Sequence, residues 1–130
     1  MSETHVHPGK HILLIDKQAS WRERSARALA REGFAVDSLA SYVLPNEGAH
    51  GAFRPDLVVL GCASVGPEEQ ELIGQVLRRK LHLLVLSTSL PWHIMRALFR
   101  DGANDVTDKP YDPDLLVETV NQALESIVDR

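Results

Sequence analysis

Pro55-Asp56-Leu57-Val58-Val59-Leu60-Gly61 is the stretch that decides the fold of this 130-residue chain. An unbroken apolar run, entered through Pro-Asp and closed by glycine, has the pattern of a strand covered on both faces. Strands of that kind belong to parallel sheets. Such sheets gather their chemistry at the carboxyl ends of the strands. Here that end is Gly61, which has no side chain to offer.

Working outward, His11-Ile12-Leu13-Leu14-Ile15 is a second buried strand, ending in Asp16. Leu81 to Leu86 is a third, followed by Ser87-Thr88-Ser89. Phe34 to Leu39 alternates well enough for an edge strand, and Asp105-Val106-Thr107 is a short final one. Helix signals fall between them. Ser20-Trp21-Arg22-Glu23 fits a capping box. The helix it opens carries Ala26, Leu29 and Ala30 on one face and Arg24, Arg27 and Arg31 on another, with Gly33 as its stop. Tyr42 to Phe53 should return a second helix, short and distorted because it contains Pro45, Gly48 and Gly51. Gly66-Pro67-Glu68-Glu69 starts a third, running to about Arg78. Pro91-Trp92 opens a fourth, closed by Asp101-Gly102, and Asp112-Pro113-Asp114 caps the last. Five strands alternating with five helices predict an α/β domain, a doubly wound parallel sheet covered on both faces. Residues 1–10 read as a flexible leader and 11–130 as the domain.

The bulk properties exclude several classes. The chain suits one domain with one core. A net charge of −4, with no basic tail, gives no pull toward nucleic acid or anionic membrane. A single cysteine, Cys62, forms no internal disulfide. The N-terminus lacks an apolar signal core, and no apolar run approaches the roughly 20 residues of a membrane span. The expectation is a cytoplasmic protein.

Ile15-Asp16 at the end of the first strand, Pro-Asp before the third, Ser87 ending the fourth and Lys109-Pro110 after the fifth occur in a telling order. With the segment from Gly102 to Pro113, this set resembles the receiver domain of two-component response regulators, over nearly the whole chain. The resemblance implies a flavodoxin-like (CheY-like) fold with strand order 2-1-3-4-5 and no enzymatic activity of its own. It also implies a site where two acids and an acceptor aspartate hold Mg²⁺ while a hydroxyl and a lysine bind the phosphoryl oxygens.

Carried over by position, Asp16 keeps the first acid and Lys17 stands where the second belongs. Gly61 stands at the acceptor, Ser87 keeps the hydroxyl and Lys109 the cation, and Val106 replaces the switch aromatic. Asp16, Lys17 and Lys109 sum to about +1 at neutral pH, so Mg²⁺ should bind weakly or not at all and no other cofactor is implied. Asp56 is no substitute acceptor, lying about 16 Å away at the other end of the same strand. The resemblance thus implies a degenerate receiver, a pseudo-receiver, acting as a phosphorylation-independent protein-interaction module. Two alternatives stand beside it: a phosphoryl-accepting switch using Ser64 or Ser87, and a small-anion or ligand-binding module on the same fold. Flavin is disfavoured because Asp16-Lys17-Gln18-Ala19-Ser20 contains no glycine.

Partners implied by the family are a signalling kinase, an output domain, or a second copy meeting the face of the fourth helix, fifth strand and fifth helix. Trp92, Arg96, Arg100 and Val106 would lie on or near that face. Lys17 could pair with Asp16 in place of a metal. Cys62 reads as a small buried residue more than as a redox sensor. His5, His7 and His11 read as scattered leader histidines more than as metal ligands. The stripe of Arg24, Arg27 and Arg31 reads chiefly as a solvated face, and could otherwise meet an acidic partner.

Overall fold

A computed structural model describes residues 9–46 and 53–128. The elements run β1 (His11–Ile15), α1 (Ala19–Arg31), β2 (Ala35–Leu39), β3 (Leu57–Cys62), α2 (Pro67–Arg78), β4 (Leu83–Ser87), α3 (Trp92–Asp101), β5 (Asp105–Asp108) and α4 (Pro113–Val128). The strands form one parallel sheet in the order β2-β1-β3-β4-β5. This is the flavodoxin-like order expected from the sequence. The chain reverses its direction of travel at β1 and β3, so their carboxyl ends flank the crevice of the fold.

Strand side chains alternate between the two faces, and each face has its own core. Leu13, Ile15, Val58, Leu60, Leu83 and Val85 pack with Leu72, Ile73 and Val76 of α2 and Leu98 of α3. Ile12, Leu14, Leu57, Val59, Leu84 and Leu86 pack with Trp21 and Leu29 of α1 and with Leu116, Val120 and Leu124 of α4. Every residue of β3 is buried, which is why its sequence is apolar without alternation. β2 is the exposed edge, where Asp37 Oδ2 lies 2.7 Å from His11 Nε2.

Among the described residues there are four helices. Residues 40–46 form bends and irregular chain instead of the start of the expected second helix, and the rest of that prediction, apart from Phe53, lies outside the described residues, as do His5 and His7. Tyr42 and Leu44 are nevertheless buried in the core. The capping box expected at Ser20 does not form. Asp16 Oδ1 accepts the Gln18 N–H at 2.8 Å, an Asx turn that bends the chain early, so the helix begins at Ala19 with Ser20 already inside it. The other caps follow the sequence. Glu69 Oε1 accepts the Gly66 N–H, Asp112 Oδ1 accepts the Asp114 N–H, and Gly102 ends α3 at a φ of 117°.

Asp56 ties two strands together at their amino ends. Its carboxylate accepts the His11 N–H at 2.7 Å while its own N–H donates to the His11 carbonyl at 2.8 Å, which locks the entry of β1 against β3. No helix among the described residues is long and apolar enough to cross a membrane.

Candidate functional site

The carboxyl ends of β1 and β3 and the loop after β5 bring Asp16, Gly61 and Lys109 together. Asp16 is 2% exposed. Its Oδ2 lies 2.7 Å from Lys109 Nζ, outside hydrogen-bond geometry, so charge rather than a directed hydrogen bond holds the contact. Lys109 Nζ also donates to Gln18 Oε1 at 3.1 Å and sits 4.5 Å above the ring of Trp21. The indole N–H of Trp21 donates to the Pro110 carbonyl at 2.8 Å, fixing the Lys-Pro loop against α1. Arg22 donates to the Asp16 carbonyl at 2.8 Å. Asp16 is therefore held through both side chain and backbone.

Gly61 is the point on which this arrangement turns. A Cβ built there would run into Asp16 Oδ2 and lie 3.1 Å from both Asp16 Cγ and Trp21 Cζ3. The glycine is not demanded by a left-handed backbone, since its φ is not among the positive ones. It is demanded by close approach: the Asp16 carboxylate and the Trp21 ring occupy the space a side chain at 61 would need. From the opposite side Tyr42 donates its hydroxyl to the Gly61 carbonyl at 3.1 Å. Burial, foremost, pushes the Tyr42 phenol well above its ordinary range.

The other predicted residues are placed less simply. Lys17 does not pair with Asp16. It forms an ion pair with Glu68 at the start of α2 and lies 4.7 Å from the Tyr42 ring centre. Ser87 is fully buried, and its hydroxyl donates to the Ser89 carbonyl at 2.6 Å, with the Ala63 carbonyl second at 3.3 Å. That hydroxyl faces inward and is already used. Cys62 is 2% exposed, with Sγ 3.6 Å from the Leu86 carbonyl, and burial pushes its thiol up to about 11. A thiolate-based sensor is thus disfavoured.

An open cleft of about 440 Å³ remains above these residues, lined among others by Asp16, Lys17, Ser64, Glu69, Thr88 and Lys109. Sequence reasoning missed Glu68, Glu69, Trp21 and Tyr42 here. Glu68 and Glu69 cancel the expected positive charge: Lys17 and Lys109 line the cleft with Asp16 and Glu69, and Glu68 pairs with Lys17 from beside it. That does not favour a small anion.

Nor do the donors fit the Mg²⁺ that the fold family uses. Asp16 and Glu68 are each engaged by a lysine, and one Glu69 oxygen accepts the Gly66 N–H. Magnesium requires hard oxygen ligands in near-octahedral array, and no group of three or more acidic, histidine or cysteine side chains among the described residues could hold a metal.

Val106, at the switch position, is 4% exposed and packs in the core beside Leu98. It belongs beneath the predicted interaction face and not on it. Trp92, by contrast, is 66% exposed and Phe99 46%, on the same side of α3 as Arg96 and Arg100. The Arg96 guanidinium lies 5.6 Å from the Trp92 ring centre. Tyr111 and Leu115, at the entry to α4, are also exposed.

No protein-family model matches the sequence, and no curated relative does. The structure is similar to solved receiver proteins. An orphan response regulator of H. pylori is 22% identical with a TM-score of 0.74, over 91% of this chain and 99% of that one. A CheY-like response regulator receiver domain protein from Methanospirillum hungatei JF-1 is 19% identical with a TM-score of 0.73, over 94% and 99%. A response regulator from Thermotoga maritima is 21% identical with a TM-score of 0.69, over 90% and 98%. The chain has the fold of these domains.

Proposed function

We propose that this chain is a pseudo-receiver: a non-enzymatic signalling module that binds protein partners without being phosphorylated on aspartate. One observation carries the reading. The space that an acceptor side chain would fill at position 61 is taken by the Asp16 carboxylate and the Trp21 ring. An aspartyl phosphate needs a carboxylate at that strand end and a metal to neutralise the incoming charge. Here the carboxylates are engaged from within the chain, and Ser87 has no free hydroxyl.

The partner face in this proposal is the outer side of α3 with the entry to α4. Exposed Trp92 and Phe99 supply aromatic anchors, and Arg96 and Arg100 supply charged rims; aromatic and arginine side chains carry much of the energy in protein interfaces. The occupant is a signalling kinase, an output domain or a second copy.

Two experiments test the proposal. Incubation with Mg²⁺ and a small phosphodonor, followed by intact mass spectrometry, should leave the mass unchanged; a stoichiometric acid-labile adduct would overturn the reading, and a stable adduct mapped to Ser64 would replace it with a serine acceptor. A pull-down should recover partners with wild type and lose them with Trp92→Ala; equal recovery would remove α3 as the face.

A further inference from the structure

Helices α2 and α3 pack on the same face of the sheet. Their carboxyl ends meet: a Cβ at Gly102, just past α3, would lie 3.7 Å from Leu77 Cδ2. Between the helices runs a groove of about 490 Å³. Ile73, Gly74 and Leu77 of α2 and Ile94, Ala97 and Leu98 of α3 line it, with Val65 and Gln70 toward one end and Arg100 and Asp101 toward the other. Ile73 and Leu98 are buried, and Leu77 and Ile94 are half-buried against the core, so the floor is apolar. From Gln70 to Leu77 the groove is about 10 Å long at 1.5 Å rise per residue. Two small residues, Gly74 and Ala97, leave this space open. The backbone does not demand the glycine. Its φ is not positive, and a Cβ there would meet only the guanidinium of Arg78, at 3.1 Å. Glycine weakens a helix interior, so α2 gives up stability at a position that widens the groove.

We infer that this groove binds a small anionic amphiphile, a molecule with an apolar chain or ring and one carboxylate. Pockets for small ligands have this size and make-up, chiefly apolar with a few polar groups that fix orientation. The sign of the head group follows from the rim. Arg78 lays its guanidinium beside Gly74, and among the described residues it has no ion pair. Arg100 pairs with its neighbour Asp101 at 3.5 Å, with both side chains exposed. Such a pair contributes little and yields readily. Two guanidinium groups thus flank an apolar floor whose lining includes one carboxylate. A carboxylate head matches the fork of guanidinium donors, while a cationic head is repelled by it. A partner helix is the poorer fit: about two turns of groove fall short of the roughly 800 Å² per partner that a stable protein interface buries. Of the lining residues, only Arg100 also belongs to the partner face proposed above, so the two sites can be separated through α2.

The test uses the full chain and octanoate below its micelle concentration, read by NMR of the methyl groups. Octanoate should shift the signals of Ile73, Leu77, Ile94 and Leu98 saturably, and octylamine should not. Gly74→Leu fills the groove from α2 and should abolish the saturable shift. Leucine has the higher helix propensity, so thermal unfolding should show this variant to be at least as stable as wild type. The double variant Arg78→Gln/Arg100→Gln should weaken octanoate binding roughly tenfold, as two exposed charge pairs allow. Both side chains are exposed, so this variant decides alone if leucine at 74 disturbs the fold. Trp92→Ala should bind octanoate as wild type does, which keeps this result distinct from a failure of the α3 partner face. Equal binding of octylamine, an undiminished arginine double variant, or undiminished binding by a folded Gly74→Leu would overturn the inference. So would tighter binding of an amphipathic helical peptide that is lost in Gly74→Leu, because the groove would then belong to a protein.

Discussion

The Asp16 carboxylate stands where the first side-chain atom of residue 61 would have to be, so the acid at the end of β1 and the glycine at the end of β3 are sterically coupled. Gly61→Ala should destabilise the fold by about 1–3 kcal/mol through overpacking. In an Asp16→Ala background the same change should cost much less. Urea unfolding of the four proteins in this cycle measures the coupling; additive effects would show that the two positions do not compete for one space.

Restoring the acceptor alone should not restore chemistry. Gly61→Asp has to displace Asp16 and still meets Lys17 where a second acid is needed. The single variant should remain unphosphorylated with Mg²⁺ and a small phosphodonor. Adding Lys17→Asp should raise Mg²⁺-dependent labelling above it. Efficient labelling of Gly61→Asp alone would contradict the charge argument.

Lys109 is the only cation paired with a buried carboxylate among the described ion pairs. Lys109→Met should cost about 3–5 kcal/mol, because it strands the Asp16 charge away from water. The double variant Asp16→Asn/Lys109→Met should recover most of that loss. Chemical denaturation reads both, and an unchanged single variant would place the pair's stabilising role in doubt.

The scaffold was legible because burial on both faces writes itself into sequence. Leu57 to Leu60 and Leu83 to Leu86 are apolar without a break, and Gly102 and Asp112 punctuate as their chemistry requires. The site was legible only as an inventory. Asp16, Lys17, Gly61 and Lys109 are all legible, but the pairing expected from them, Lys17 with Asp16, is not the one that forms: Lys109 takes that place. Lys17 turns to Glu68, which lies in another element and is set beside it by the fold. Trp21 read as part of a cap, yet its ring closes over Gly61 and its N–H reaches Pro110. Contacts of that separation depend on side-chain direction in the assembled domain, which local pattern does not encode. The helix expected from Tyr42 failed at its described end, where buried Tyr42 and Leu44 are held by core contacts in non-helical chain.

Alkaline pH should expose the buried thiol. The Cys62 pKa rises from 9.0 to about 11, chiefly through burial, so the folded state keeps its proton longer than the unfolded chain does. The stabilisation is complete below pH 9.0 and is lost as pH rises toward about 11, at about 1.4 kcal/mol per pH unit. Tyr42, raised for the same main reason, adds a loss of the same sign at higher pH. Unfolding free energies of wild type and Cys62→Ala should therefore converge as pH rises above 9.0 if wild type starts the more stable. Parallel pH curves would show that the thiol ionises equally in both states.

The Asp16–Lys109 contact is made of two side chains of one chain and contains no exchangeable group. If the proposed function holds, a site held in that manner stores no trace of a past signal. On the proposed reading, the domain then has no chemical clock: its response time is that of partner arrival and departure, and the strength of its output follows how much partner is present.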